Sequence, residues 1–279
     1  NGYFQGKERV LSLSVVFNLP MAVRIIASVV LVYAGLELVG ATASFPFGYA
    51  VVVFPLALYY GWLSGEEDKT AIDINSSFLR ILATNILMVA FIHSDLFAIR
   101  LLMGPEQAAF YNTAGITGRI PFYMSNAIAF VLLPQAAKLT FENRRELATR
   151  FLKSLAFIVP IAPVFVLFAK PLLTLFYGPL YGESGAGAFS ILVIGMVIFG
   201  AANFLVSILW SQGKETLPLA LSLLIVPVNI LLLYVLVPER GLEGGAIATL
   251  ISSSIFFLVS GGAFVYYMLD HRNMEPGRQ

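Results

Sequence analysis

Two arginines stand well inside long apolar runs, Arg24 in PMAVRIIASVV and Arg119 in AGITGRIPFYM. A charge at the centre of a bilayer costs about 2.5–3.5 kcal/mol on insertion scales, so such a residue normally faces a cavity or a partner. Arg24 lies too far from either end of its run to reach the interface easily by extending its stem. Two arginines facing one cavity would attract an anion, and the planar guanidinium suits phosphate or pyrophosphate oxygens. Asp95 lies toward the outer third of another apolar run, two residues after His93 and five before Arg100. It is a candidate partner for Arg119 or Arg100, or a functional coupling residue. Pro121, two residues after Arg119, removes a helical donor and is a candidate hinge.

Other chemistries lack their residues. The 279 residues contain no cysteine, so disulfides and thiolate metal sites are absent from them. His93 has no second ligand at metal spacing. Ser252, Ser253 and Ser254 have no base nearby in sequence and read as helix-packing hydroxyls. No phosphate loop of the G-x-x-x-x-G-K-[ST] type occurs. We expect neither a cofactor nor a metal, and no enzymatic activity.

The elements that position these residues follow from composition. Hydrophobic residues make up 58% and charged residues 12%, with a mean hydropathy of +0.85, whereas a soluble domain carries about a quarter charged residues. The chain therefore reads as an all-α polytopic membrane helix bundle, since long continuous apolar runs do not alternate as barrel strands do. With a span needing about 20 apolar residues, eight transmembrane helices are expected, near 11–34, 41–63, 77–103, 107–137, 149–176, 185–210, 216–237 and 242–269. Residues 142–153, with Arg144, Arg145, Arg150 and Lys153, read as a short interfacial helix.

Twelve Lys and Arg, including Lys69, Arg80, Lys138, Arg144 and Lys214, fall in one set of loops and ends, against three (Arg100, Lys170, Arg240) in the other. The positive-inside rule then puts both ends of this chain in the cytoplasm. A net charge of +1 argues against a nucleic-acid partner.

An internal repeat sets the larger organisation. Gln5-Gly6-Lys7-Glu8, Pro20, Gly35-Leu36-Glu37 and Gly40-Ala41 recur in order as Gln212-Gly213-Lys214-Glu215, Pro227, Gly241-Leu242-Glu243 and Gly245-Ala246. The second cassette is preceded by four apolar segments and the first by none. We expect the chain to lack roughly 130 upstream residues holding four more spans. Two pseudo-symmetric lobes are then expected, the first incomplete. Residues 1–64 would be its last two helices, 65–76 a cytoplasmic inter-lobe linker, 77–270 a complete six-helix lobe and 271–279 a cytoplasmic tail.

Residues 95–138 carry a resemblance. Asp95-Leu96-Phe97, Phe110-Tyr111-Asn112-Thr113-Ala114, Arg119-Ile120-Pro121-Phe122 and Leu133-Pro134 resemble motifs of the polysaccharide flippases, within the multidrug/oligosaccharidyl-lipid/polysaccharide exporter superfamily. The two Gln-Gly cassettes, Gly244-Gly245-Ala246 with Ala248-Thr249, and Phe168 to Tyr181 are similar to further patterns of that family. The resemblance implies alternating access around a central cavity and transfer of a polyprenyl-(pyro)phosphate-linked oligosaccharide across the cytoplasmic membrane, for cell-surface glycan assembly. It implies that Arg24 and Arg119 bind the pyrophosphate, with Asp95 as a gate or ion-coupling residue. Expected partners are the lipid-linked substrate, the bilayer, and a glycan polymerase or glycosyltransferase complex. Two other readings stay open: a cation-coupled multidrug or metabolite exporter of the same superfamily, and a non-transporting scaffold subunit.

Overall fold

The structure, a computed structural model, describes residues 10–63, 76–137 and 144–270. The expected linker at 65–76, the tail at 271–279 and the first Gln-Gly cassette fall almost entirely outside these residues. The chain divides into two compact units, residues 1–73 and 74–279, and each is described by itself.

In the first unit, α1 (Val10–Leu31) leads through a wide turn at Val32–Leu36 into α2 (Glu37–Leu63). Gly35, at φ 88°, supplies the turn with a conformation that a side chain would resist. A Cβ on Gly48 would lie 2.8 Å from the Arg24 Cβ and the Pro20 carbonyl, and one on Gly40 would lie 2.9 Å from Leu31. These contacts pair residues near the turn with each other and distant residues with each other, so α1 and α2 form an antiparallel hairpin. The missing side chain at Gly48 lets the two backbones approach closely around Arg24.

The second unit holds α3 (Ser76–Met103), α4 (Pro105–Gly118), α5 (Ile120–Ala137), α6 (Arg144–Ile158), α7 (Ile161–Leu167), α8 (Ala169–Tyr177), α9 (Pro179–Ser211) and α10 (Thr216–Asp270). As one rod, the 55 residues of α10 would be about 80 Å long, far beyond a bilayer core of about 30 Å. It is instead two limbs, 216–240 and 242–270, broken at Gly241 (φ 59°, ψ −134°). At the break a Cβ on Gly244 would run into the Leu236 carbonyl. Gly35 and Gly241 are the equivalent glycines of the repeated Gly-Leu-Glu triplet, and both take positive φ at a helix break.

Two expected spans are broken in the structure. The fourth, read as continuous over 107–137, divides at Arg119 into α4 and α5. Pro121 has no N–H to give the Thr117 carbonyl, which removes one helical bond at the joint. The fifth, read as 149–176, is split among α6, α7 and α8, with a bend of 73° between Leu155–Leu167 and Ala169–Tyr177. Pro160 and Pro163 each lack one helical donor and lie at the break between α6 and α7, while the 73° bend falls at Phe168, between α7 and α8. The segment read as a separate interfacial helix is continuous with the start of that span in α6.

Helix α9 is the axis of the second unit and packs against α4, α5, α8 and α10. Fully buried Phe199 gathers the neighbours: its ring centroid lies 4.8 Å from Phe91 on α3, 5.1 Å from Phe122 on α5 and 5.8 Å from Phe256 on α10. Small residues let these backbones close up, as where Gly195 faces the Leu250 backbone at 3.2 Å from the position of a Cβ. Helix α3 runs parallel to the first limb of α10. Arg80 reaches Thr216 at 3.3 Å, Asn229 reaches Ser94 at 2.8 Å, and Met103 lies against Gly241.

The outside is apolar, with Leu101 83% and Leu167 78% exposed. Among the described residues, four stretches are long and apolar enough to cross a membrane, and the bent pair over 155–177 makes a fifth. Two of the four, Asn18–Val52 and Thr216–Tyr267, contain the breaks at Gly35 and Gly241, so each is a helical pair. The protein is an all-helical, multi-pass membrane protein.

Candidate functional site

The centre of the second unit is a buried charge. Arg119 occupies the joint between α4 and α5, where its backbone N–H bonds the Gly115 carbonyl at 3.1 Å and its carbonyl receives Tyr123 N–H at 3.1 Å. The helical path thus continues through the joint while the side chain turns inward. Gly115, one turn earlier, leaves room for it, since a Cβ there would sit 2.6 Å from Arg119 Nη1.

Arg119 is 2% exposed and Asp95 not at all. Arg119 Nη2 donates to Asp95 Oδ1 at 2.7 Å, to Oδ2 at 2.9 Å, and to the Ile92 carbonyl at 2.7 Å. Arg100, the other partner considered for Asp95, is not the one chosen. The Tyr111 hydroxyl on α4 donates to Asp95 Oδ2 at 2.8 Å, and Leu96 N–H donates to Oδ1 at 2.7 Å. Three donor groups therefore meet the carboxylate: Leu96 N–H on Oδ1, the Tyr111 hydroxyl on Oδ2, and Arg119 Nη2 shared between the two oxygens.

The arginine is far less well satisfied. Its contacts to Asp95 pass through one nitrogen rather than the usual fork of two, and its buried Nε has no partner. A desolvated donor left unpaired is costly, of order 1–3 kcal/mol. It can be regained by any acceptor that reaches Nε.

The second limb of α10 completes the node. A Cβ on Gly245 would lie 2.8 Å from Ile99 and 3.5 Å from the Tyr111 ring, and Thr249, one turn on, borders the Tyr111 hydroxyl. Three sequence motifs (Asp95-Leu96-Phe97, the Tyr111 to Ala114 segment and Gly244 to Thr249) thus converge on one carboxylate. From sequence Tyr111 was quoted only as part of a resemblance motif and given no role of its own, because a tyrosine in a membrane chain usually reads as interfacial bulk. Pro121 is buried two residues beyond Arg119, in the first turn of α5.

Arg24 belongs to the other unit. It is half-buried on α1, with its guanidinium carbon 3.9 Å from the centroid of Phe45 on α2, a cation–π contact that uses one face of the group. No ion pair is seen for it among the described residues.

Two further polar links went unread because they carry no charge. Asn203 on α9 donates to Asn126 on α5, and the Asn229 amide donates to Ser94 while its own Oδ1 stays unpartnered. Their signal was a lone amide within an apolar run. Lys170 pairs with Glu183 at 3.3 Å, both well exposed.

An apolar groove of about 900 Å³ runs between α3 and the first limb of α10, lined by His93, Ser94, Phe97, Val226, Ile230 and Tyr234 among others. His93, expected at the membrane interface, opens onto it.

The sequence model of a family described as "Polysaccharide biosynthesis protein" matches residues 8–185. No curated protein matches the chain significantly. Among solved structures, the bent form of the Vibrio cholerae MATE transporter VcmN superposes with a TM-score of 0.60 at 19% identity. That match covers 92% of this chain and 62% of the transporter. A mutant of the same transporter gives 0.56 at 17% identity, covering 96% and 64%. The chain thus spans under two thirds of the length of these structures, and the likeness is one of fold.

Proposed function

This chain belongs to the polysaccharide biosynthesis protein family, and from that premise we propose that it exports a polyprenyl-(pyro)phosphate-linked oligosaccharide, flipping it across the cytoplasmic membrane by alternating access. The exporter fold of its structural neighbours supports transport as the activity, in place of enzymatic chemistry. The observation that carries the reading is Arg119, a buried arginine held through one nitrogen with its Nε unpartnered.

In this reading Arg119 and Arg24 bind the pyrophosphate. Arg24, stacked on Phe45, offers the edge of its guanidinium to phosphate oxygens. Asp95 holds Arg119 between substrates and so acts as the gate, while the weakened backbone at Pro121 lets α4 and α5 bend about the joint. The excess of Lys and Arg in one set of loops supports a cytoplasmic position for both ends of this chain, and a glycan polymerase or glycosyltransferase complex would supply or receive the substrate.

The fold neighbours keep a second reading in view, a cation-coupled exporter of drugs or metabolites. It needs a carboxylate free to take a cation, and Asp95 is already neutralised by Arg119. The test is made in cells. With Arg24→Gln and Arg119→Gln combined, lipid-linked glycan should accumulate on the cytoplasmic side while the protein still inserts. Undiminished export would refute these roles.

A further inference from the structure

The site described so far assigns no role to Tyr111, although it is fully buried and its hydroxyl is committed to Asp95. We propose that Tyr111 is the positioning residue that makes Arg119 releasable: it keeps the Asp95 carboxylate supported when the arginine turns to the substrate. The proposal rests on the reading of Arg119 as a phosphate-binding group.

A carboxylate that loses its only charged partner inside a protein is strongly destabilised. Removing Arg119 from Asp95 takes one donor from each oxygen. What remains is Leu96 N–H on Oδ1 and the Tyr111 hydroxyl on Oδ2, again one on each. Leu96 N–H serves only Oδ1, so the tyrosine decides whether the second oxygen is stranded.

The phenol is also fixed independently of the arginine. Its ring is wedged beside Gly245, where no side chain intrudes, and Thr249 borders its oxygen. The Thr249 hydroxyl donates to the Gly245 carbonyl at 3.1 Å, and the Tyr111 hydroxyl gives its own proton to Asp95 at 2.8 Å. Tyr111 thus ties α3, α4 and the second limb of α10 together by contacts that do not include Arg119, and those contacts can persist while Arg119 moves.

The experiment uses the full-length protein in proteoliposomes with a polyprenyl pyrophosphate carrying a short fluorescent glycan. Tyr111→Phe keeps the ring and removes the hydroxyl. Loss of a hydrogen bond to a charged group should lower turnover about ten-fold, with KM unchanged, because the bond matters after the substrate has engaged Arg119. In an Asp95→Asn background the same substitution should have no further effect. Wild-type turnover in Tyr111→Phe, or an equal loss in the Asp95→Asn background, would overturn the proposal.

A substrate-independent measurement separates this proposal from the transport reading. By thermal unfolding, Tyr111→Phe should cost more stability in an Arg119→Met background than in the wild type, because Tyr111 is then half of what still supports Asp95. An equal or smaller cost would overturn the role of Tyr111 whatever the substrate. Failure of the wild type to flip the probe would instead count against the proposed substrate.

Discussion

Arg119 holds Asp95 through a single nitrogen: Nη2 lies 2.7 and 2.9 Å from the two carboxylate oxygens, while Nε of the same planar group meets no partner. The pair is close enough to neutralise both charges in a buried site. It also leaves the arginine short of bonds and the carboxylate well supplied. That asymmetry is the basis for treating the arginine as the member that leaves.

Breaking the pair from one side should be costly. Arg119→Gln leaves an uncompensated buried carboxylate and should destabilise the protein by about 3–5 kcal/mol. Adding Asp95→Asn should recover most of that stability, since two neutral amides replace two charges, but transport should stay lost. Thermal unfolding beside a flipping assay separates the two effects.

Gly115 makes room for the guanidinium. Gly115→Ala would place a Cβ 2.6 Å from Nη1, and the arginine must shift by several tenths of an ångström. Misplacement by about 1 Å can cost around a hundred-fold in rate, so transport should fall several-fold at least with membrane insertion intact. Gly118→Ala, whose Cβ would meet Leu192 at 3.3 Å, crowds a neighbour outside the ion pair and should lower transport less.

The two turn glycines should respond alike. Gly241→Ala and Gly35→Ala each force a side chain into a positive-φ conformation, at a cost of about 1–3 kcal/mol. Both should lower the unfolding temperature. No loss in either would mean that the turns relax easily.

Phe45 holds one face of Arg24. Phe45→Leu keeps the bulk and removes the cation–π contact, a loss of about 0.5–2 kcal/mol. Apparent KM for the lipid-linked substrate should rise several-fold with turnover little changed, measured in the same flipping assay.

The helices were readable in the sequence because lipid demands long apolar runs, and the glycine joints punctuate them clearly. Gly35 and Gly241 were legible as equivalent turns from their repeated triplet. Asp95 and Arg119 stood out for the same reason, as charges among apolar residues. Their partnership could not be read, because they lie 24 positions apart in the chain and Arg100 was an equally good partner on sequence grounds. Pro121 marked a candidate hinge beside Arg119, but the division into two helices there was not read, because a proline within a spanning segment is compatible with either a kink or a straight helix. The three-way division of 144–177 was hidden in the same way by Pro160 and Pro163. Tyr111 was seen only as part of a motif, and the amides Asn126, Asn203 and Asn229 were passed over, because none is charged, yet a neutral group in an apolar interior also needs a partner.

The most direct test of the central claim is binding of a polyprenyl pyrophosphate to the purified protein, comparing the wild type with the doubly neutralised Asp95→Asn, Arg119→Gln variant, after thermal unfolding has shown both to be folded. If Arg119 leaves Asp95 for the phosphate, affinity should fall about ten-fold or more, the value of charge-assisted hydrogen bonds. Unchanged affinity in the folded double variant would mean that the pair is a structural fixture and that the anion binds elsewhere.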